Sequence, residues 1–267
     1  MTKPPTQDTE VKEFFNRISD KYSDKYSEKN PFHQWYFNER LDAATGLGRT
    51  DFSDKYILDI GTGTGALYDF LQSKQFHNMH FYGCDIAEKM LRESNIPIRQ
   101  QFVGHCYDID FKVDTFDYIF VLGVTTYLDP EERDQMLRWI REHISKDGTI
   151  LLSFTNKYSL NNFFYLLAKP FMRLFRGRNR VATQTFRTYN YSQRVIRRLL
   201  KDNFHIEQLI YINQTFFPFS HLFPGLSIRF ARFIKRHRKA SRLFNLLSAE
   251  FLVVMKPGSG APQQPAS

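Results

Sequence analysis

The stretch Asp59-Ile-Gly-Thr-Gly-Thr-Gly-Ala66 decides the fold of this chain, because it stands between a β-prone run and a helix-prone run. Residues 55–60 before it are mostly apolar, and residues 66–71 after it have the spacing of a helix. Its glycines remove the Cβ atoms that would block a ligand. The stretch therefore predicts a turn from a strand into a helix, where a nucleotide-type ligand binds at the positive end of the helix.

The glycine pattern alone leaves two classes of nucleotide open, since Gly61-x-Gly63-x-x-Ala66 also satisfies the loose dinucleotide fingerprint. Asp59 favours a nucleotide-type ligand that is not a dinucleotide. A carboxylate at this position accepts hydrogen bonds from a cationic amino-acid portion of a cofactor and repels a pyrophosphate. The next strand-like run ends in Asp85, an acid suited to ribose hydroxyls in either class.

Four segments occur in a set order along the chain: ILDIGTGTGAL at 57–67, FYGCDIAEKML at 81–91, FDYIFVLGVTTYLDPEE at 116–132 and KDGTILLSF at 146–154. On these segments, and on a last apolar strand over 250–257, the chain resembles the class I S-adenosylmethionine (SAM) methyltransferases. The resemblance is to the kind that includes the ubiquinone and menaquinone biosynthesis enzymes. The resemblance implies an α/β Rossmann-like fold, with a seven-stranded, mostly parallel sheet, an antiparallel last strand and helices on both faces.

The resemblance also implies SAM as cofactor and S-adenosyl-L-homocysteine as product. The glycine loop would border the methionine and ribose parts, Asp85 would bind the ribose hydroxyls, and the loop after the fourth strand would face the acceptor. At His105 the family often has an Asp that contacts the adenine amino group, so this contact stays open here. The implied cofactor residues are Asp59, Gly61, Thr62, Gly63, Gly65, Asp85, Ile86, Met90, His105, Cys106, Tyr107, Leu122, Gly123 and Val124.

Methyl transfer from a sulfonium is a direct displacement, so the protein mainly aligns the reacting groups and excludes water. Oxygen acceptors often need a general base, and the candidates are Tyr127, His33 and His221. Tyr127 stands where many relatives have a His. A packed Tyr127 and surface histidines are the alternatives. The two cysteines have neither the spacing of a metal site nor that of a disulfide framework, so no metal is expected.

The chain divides into four parts on composition and periodicity. Residues 1–9 and 258–267 are rich in Pro, Gln and Ser and are expected to be disordered. Residues 10–50 have helical spacing and predict a lid over the cofactor mouth. Residues 51–257 form the SAM-binding domain, with helical insertions at 156–190 and 214–247. Without a signal peptide or an apolar run of ~18 residues, the protein is expected in the cytoplasm.

Secondary-structure patterns place the elements of that domain. Asp129 and Ser192 are predicted helix caps, the first with Pro130 at the first helical position and Glu132 three residues after the cap. Strands are predicted at 56–60, 79–84, 100–104, 117–122, 148–155, 204–213 and 249–255.

Charge is divided very unevenly along the chain. Residues 1–147 hold 18 bases and 25 acids, a net charge of −7, whereas residues 148–267 hold 19 bases and 3 acids, a net charge of +16. The bases fall mainly in or beside the two insertions, which also carry Phe and Leu at helical spacing. Both insertions follow strands at their carboxyl ends, so we expect them to roof the active site and to contact an anionic membrane. A solvated basic face is the alternative.

These patterns predict a SAM-dependent methyltransferase for a small or lipid-like acceptor, with methylation of an oxygen and peripheral membrane contact. An RNA methyltransferase is one alternative, because bases interleaved with aromatic residues also suit nucleic acid. Residues 121–127 lack the Asn/Asp-Pro-Pro-aromatic motif of amino-methylating nucleic-acid enzymes, which argues against it. A non-catalytic module of the same fold that binds membrane or nucleic acid is the other alternative.

Overall fold

The computed structural model describes residues 6–26, 30–46, 50–160, 162–164, 166–167, 186–214, 222–237, 245 and 248–258. The first helix, α1 (Gln7–Tyr22), begins inside the stretch 1–9 that composition predicts to be disordered. The Thr6 side chain caps it by accepting a hydrogen bond from the Thr9 amide, and the first turn carries Asp8 and Glu10. The helical region therefore starts three residues earlier than predicted (10 − 7), while residues 1–5 and 259–267 lie outside the described residues.

A single seven-stranded sheet with the order β3-β2-β1-β4-β5-β7-β6 forms the centre of the molecule. β7 runs antiparallel to both of its neighbours, and the other pairs are parallel. The predicted fold is confirmed. The strand order reverses at β1, which pairs with β2 on one side and β4 on the other, and ligands bind at such a switch point. The strands are β1 (Tyr56–Ile60), β2 (His80–Asp85), β3 (Gln101–Val103), β4 (Phe116–Val121), β5 (Ile144–Thr155), β6 (Phe204–Ile212) and β7 (Glu250–Pro257).

Helices cover both faces of this sheet. Asp129 caps α5 in a full capping box with Glu132, and Ser192 caps α6 by accepting a hydrogen bond from the Val195 amide, so both predicted caps are confirmed. Within the described residues, no helix is both long and apolar enough to cross a bilayer. After α1 the helices are α2 (Pro31–Ala44), α3 (Ala66–Gln72), α4 (Glu88–Arg92), α5 (Pro130–His143), α6 (Gln193–Leu200) and α7 (Pro224–Arg236).

The core consists of two apolar layers, one on each face of the sheet. Successive residues of β1 face opposite layers, with Ile57 in one and Leu58 in the other, as the period of a strand requires. The layer around Leu58 includes Ile140 of α5 and Ile196 of α6, and the layer around Ile57 includes Leu67 of α3. Full burial of each such side chain contributes about 1.5–3 kcal/mol. The two layers fix the carboxyl edge of β1 between β2 and β4.

Both insertions leave the sheet at the same height along the strands, next to the first residue of β7. Thr155 at the end of β5 and Ile212 at the end of β6 are each paired with Glu250 at the start of β7. Residues 160, 162–164 and 166–167 of the first insertion are helical, and 161, 165 and 168–185 lie outside the described residues. In the second insertion, α7 packs against α2. The insertions therefore start at the carboxyl edge, as predicted.

Candidate active site

A cavity of about 330 Å³ opens at the carboxyl edge of the sheet, next to the switch point at β1. Its volume is within the range of small-molecule sites. Loops after β1, β2, β3 and β4 form one wall, and α1, α2 and the start of β7 form the other. None of the described residues of 156–190 or 214–247 lines it, so the expectation that the insertions roof the site is wrong for the described part of the chain. α1 and α2 occupy that position instead.

The glycine loop after β1 is bent in a way that only glycine adopts without strain. Gly61 has φ +71° and Gly63 has φ +56°. The Gly61 amide donates to the Cys84 carbonyl at 2.8 Å, which holds the loop on the end of β2. A Cβ atom at Gly61 would lie 2.2 Å from Val124 Cγ2. The loop after β4 therefore closes directly onto this backbone.

Asp85 ends β2 and is held beneath the glycine loop. Its Oδ2 accepts a hydrogen bond from the Gly63 amide at 2.9 Å, and its Oδ1 accepts one from the Ala87 amide at 2.8 Å. Burial raises the pKa of Asp85 to about 6, although both amides favour the ionised carboxylate. The side chain thus has one fixed orientation in the cavity wall.

Asp59 is the second carboxylate of this wall, and it is only 4% exposed. Burial raises its pKa to about 7, and the charge of Asp85 adds to the rise. Two neighbouring carboxylates in a poorly solvated site stabilise a cation placed between them and the solvent. A ligand with a cationic group and hydroxyl groups therefore suits this side of the cavity.

His105, after β3, pairs with a residue of α1. Its Nε2 lies 3.1 Å from Asp8 Oδ1, and its ring stacks on Tyr107 with 4.9 Å between centroids. Burial alone would lower the pKa of His105, but the hydrogen bond and charge of Asp8 raise it above its usual value. The same hydrogen bond lowers the pKa of Asp8. A carboxylate is thus present beside position 105, supplied by α1 rather than by the loop itself.

α1 closes the cavity from above through contacts at several of its residues. The Gln7 side-chain amide donates to the Tyr127 carbonyl at 2.6 Å, and the Lys89 amide at the start of α4 donates to Asn16 Oδ1 at 2.9 Å. The rings of Phe15 and Tyr127 meet edge to face at 5.2 Å. α1 therefore joins the loops that follow β2, β3 and β4 and shields the cavity from solvent.

A buried ion pair forms the wall contributed by α2 and β7. Arg40 Nε donates to Glu250 Oε2 at 2.9 Å, and a second nitrogen donates to Oε1 at 2.5 Å. The Tyr36 hydroxyl also donates to Glu250, at 2.8 Å. The Arg40 and Glu250 side chains are 12% and 7% exposed, so the pair is desolvated. A Cβ atom at Gly123 would lie 2.9 Å from Arg40 Nη1, so glycine there admits the guanidinium.

The structure brings thirteen of the fourteen predicted cofactor residues into the cavity wall. Gly65 lies outside it, directly before α3, where its φ of +76° starts the helix. Among the predicted base candidates, Tyr127 lines the cavity. His33 lies near the start of α2, 5.7 Å from Phe32 by ring centroids, and is not in the wall. His221 lies outside the described residues. The roles of all these residues remain predictions.

The cavity residues that sequence reasoning missed belong to the wall formed by α1, α2 and the start of β7, which we call the lid wall. Asp8, Tyr36 and Arg40 line the cavity from α1 and α2, and Glu250 lines it from β7. Only Glu250 carried a signal, because it is the last acid of the chain and the only one after Glu207. An acid that opens an otherwise apolar strand in a strongly basic region needs a buried partner.

Comparison with known proteins agrees with this geometry. Residues 58–150 match the family described as methyltransferase domain. An uncharacterised protein of Rickettsia prowazekii is 25% identical over 132 residues, which are 47% of this chain and 23% of that protein. An uncharacterised methyltransferase of Staphylococcus carnosus is 24% identical over 144 residues, 54% of this chain and 67% of that one. The match thus spans about a quarter of the first relative and about two thirds of the second.

Among solved structures, the magnesium protoporphyrin IX methyltransferase of Synechocystis with bound S-adenosyl-L-homocysteine has a TM-score of 0.60. It is 18% identical, and the alignment covers 95% of this chain and all of that one. At this identity the likeness concerns the fold. The predicted fold is confirmed, and residues 58–150 match a methyltransferase domain, in agreement with the predicted class. The Synechocystis enzyme has S-adenosyl-L-homocysteine bound to this fold. The ubiquinone and menaquinone type stays a prediction.

Proposed function

We propose that this chain, which has the domain and the fold of the class I SAM-dependent methyltransferases, transfers a methyl group to an oxygen of a small or lipid-like acceptor. The observation behind this proposal is one cavity with two chemically different walls. Buried Asp59 and half-buried Asp85 line one wall, and aromatic side chains of α1 and α2 line much of the other. The first wall suits a polar, cationic cofactor, and the second suits an apolar acceptor.

The residues of the first wall fit SAM. Asp59 would hold the cationic amino group, Asp85 would bind ribose hydroxyls, and the bare backbone of Gly63 admits the ligand where a side chain would fill the space in front of Met90. His105, Cys106 and the neighbouring loop would border the adenine. When bound, SAM supplies an electrophilic methyl group on a sulfonium.

The residues of the second wall exclude water and set the shape of the acceptor. Phe15 and Tyr22 of α1, with Tyr36 and Phe37 of α2, line the cavity. Their rings bind apolar or flat groups, and the charged residues of the same wall already pair, Arg40 with Glu250 and Asp8 with His105. The fixed lid keeps water from the reacting atoms, which favours displacement over hydrolysis.

Methylation of a hydroxyl releases a proton, so an oxygen acceptor calls for a base on the acceptor side, and Tyr127 is the candidate there. Tyr127 lines the cavity after β4 and packs against Phe15. The proposal includes a cytoplasmic protein with peripheral membrane contact, supported by the net charge of +16 over residues 148–267.

Calorimetry with SAM, S-adenosyl-L-homocysteine and NAD tests the cofactor half of this proposal. We expect binding of the first two and none of NAD. Asp85→Ala should weaken SAM binding by about 1–3 kcal/mol, because it removes a charged acceptor from hydroxyl partners. Asp110→Ala, which changes an exposed carboxylate outside the cavity, is the matched control and should bind normally. NAD binding without a response to SAM would overturn the assignment.

Transfer of radiolabelled methyl groups tests the acceptor half. The purified protein with labelled SAM is offered separately a lipid extract, a mixture of small phenols and total RNA. Label in an organic-soluble product is the expected result, and mild base then distinguishes a methyl ester, which it cleaves, from an ether, which it leaves intact. Label only in RNA would establish the nucleic-acid alternative. SAM binding with no label in any fraction would favour the non-catalytic alternative.

A further inference from the structure

The outer face of α7 combines apolar and basic residues in the solvent. Leu222 just before the helix is 65% exposed, and within it Leu226 is 63% and Phe233 59% exposed. Within α7, Leu226, Arg229 and Phe233 follow a helical repeat of three and four residues, so these three share one stripe, and Leu222 is exposed close to its start. The opposite face buries Ser227, Ala231 and Ile234 against the protein. Large apolar side chains gathered on one exposed face mark an interaction surface rather than an ordinary solvated one.

The charges beside this stripe have one sign. Arg229, Arg232 and Arg236 are exposed, and residues 222–237 include no acid. Within the described residues none of these three arginines has an ion-pair partner. Lys235 differs, because its Nζ lies 3.5 Å from the buried Glu39. These exposed arginines therefore suit an anionic partner, and the apolar stripe suits one with an apolar layer beneath its charge.

We propose that this outer face of α7 is a membrane-docking surface for anionic phospholipid. The arginines would meet lipid phosphates while Leu222, Leu226 and Phe233 enter the boundary between headgroups and acyl chains. The first insertion supplies a second set of exposed apolar residues at the same edge of the sheet, where Phe163 is 55% and Leu166 56% exposed. Nucleic acid fits the arginines but not the aliphatic side chains, which offer bases no stacking surface.

The docking surface is connected to the cavity through α2. On its outer side α2 packs against α7, and Glu39 contacts Lys235 and accepts a hydrogen bond from the Asn213 amide at 2.9 Å. On its inner side the same helix places Tyr36 and Arg40 in the cavity wall. Docking would thus hold the acceptor wall next to the bilayer. The docking specifies the membrane contact of the proposed function and does not depend on methyl transfer, whereas delivery of a lipid-like acceptor does.

Flotation of the full chain with vesicles tests the surface without any methyl transfer. Vesicles of phosphatidylcholine alone are compared with vesicles that also contain phosphatidylglycerol. Changing Arg229, Arg232 and Arg236 to Gln should weaken binding to the anionic vesicles about five-fold per residue at low salt. The double change Leu226→Ser and Phe233→Ser should weaken the affinity for anionic vesicles about ten-fold, and it should abolish the binding that persists at high salt. The matched control changes Arg194, Arg197 and Arg198 to Gln with Val195→Ser on α6, which are exposed in the same way and should leave binding intact.

Several results would overturn the proposal. One is a wild-type protein that floats with neither kind of vesicle. Another is that the variant with Leu226→Ser and Phe233→Ser floats like the wild type. The third is that the α6 control loses as much vesicle binding as the α7 variants. Binding to RNA that falls steeply and log-linearly with salt, without flotation, would assign the face to nucleic acid. SAM titration of each variant separates the two proposals, because loss of docking with unchanged SAM affinity leaves the methyltransferase assignment intact.

Discussion

The two walls of the cavity are built in different ways. The cofactor wall is held by backbone groups of neighbouring strands, such as the Gly61 amide on the Cys84 carbonyl. The lid wall is held by side chains far apart in the sequence, since Arg40 and Glu250 are 210 residues apart and Gln7 and Tyr127 are 120 apart. Backbone bonds survive most substitutions, whereas each lid contact depends on particular side chains. The lid wall should therefore be the more sensitive to mutation, and the cofactor wall, with its two carboxyls of raised pKa, the more sensitive to pH.

Breaking the Arg40–Glu250 pair should have the largest effect on stability. Arg40→Met keeps most of the side-chain volume but leaves the Glu250 carboxylate buried without its cation. Removal of one partner from a buried pair costs about 3–5 kcal/mol. We expect a loss of that size in the free energy of unfolding, measured by urea denaturation. The control Arg92→Met breaks an exposed pair with Glu88 and should cost less than about 0.5 kcal/mol. Equal losses would show that the two regions do not differ in the way described.

The same contrast explains how much the sequence predicts. The cofactor wall follows from local patterns: a strand, glycines that need positive φ, and an acid at the end of the next strand, all within residues 57–124. The strands and both predicted helix caps were also readable, because period and capping are local properties. The Asp8–His105 and Arg40–Glu250 pairs were not. They depend on how helices pack over a sheet, which no short window encodes.

The two insertions show that sequence composition can indicate an interaction surface without giving its position in the fold. Their basic and apolar composition indicated an interaction surface, but not its placement. We expected them over the cavity because they leave the carboxyl edge of the sheet. α7 instead packs on the outside of α2, and α1 and α2 already occupy the space above the cavity. The strand that precedes an insertion fixes where the insertion starts, whereas competition between apolar surfaces decides where it packs.

The pH dependence of SAM binding should sharpen the comparison on the cofactor side. Burial raises the pKa of Asp59 from 3.8 to about 7, so its carboxyl is largely protonated in the free protein below that pH. A cationic amino group binds the ionised form, so SAM affinity should rise with pH, by up to about ten-fold per unit below pH 7, and then level off. The stability of the free protein should change in the opposite direction. The unfolded state binds fewer protons between the two pKa values, so Asp59 makes unfolding easier as pH rises through this window.

Asp59→Asn checks the origin of that dependence. Calorimetry on the variant should show weaker SAM binding that is nearly flat in this range, apart from the part that Asp85 contributes. His77→Gln, which changes a titratable residue outside the cavity, should keep the wild-type profile. A profile that persists unchanged in Asp59→Asn would assign the titration to another group.

The smallest expected effect concerns the contact of α1 with the β3 loop. Asp8 raises the pKa of His105 above 6.5, and His105 lowers the pKa of Asp8 below 3.8. The ion pair therefore stabilises α1 in its position over the cavity most between about pH 4 and 6.5. It is lost as pH rises through the pKa of His105 and as pH falls through that of Asp8. Because the side chains are 20% and 34% exposed, its contribution should be about 1 kcal/mol or less.

Hydrogen exchange of the α1 amides at pH 6 and pH 8 measures this contribution. Corrected for intrinsic rates, exchange in the wild type should be faster at the higher pH, and Asp8→Asn should make it fast at both. Glu10→Gln, in the same first turn, is the control and should retain the wild-type difference. If exchange in the wild type does not change with pH, the charges do not hold the helix. The aromatic contacts of Phe14 with Phe186 at 5.3 Å and of Phe15 with Tyr127 would then close the lid, and its sensitivity would be to packing rather than to protons.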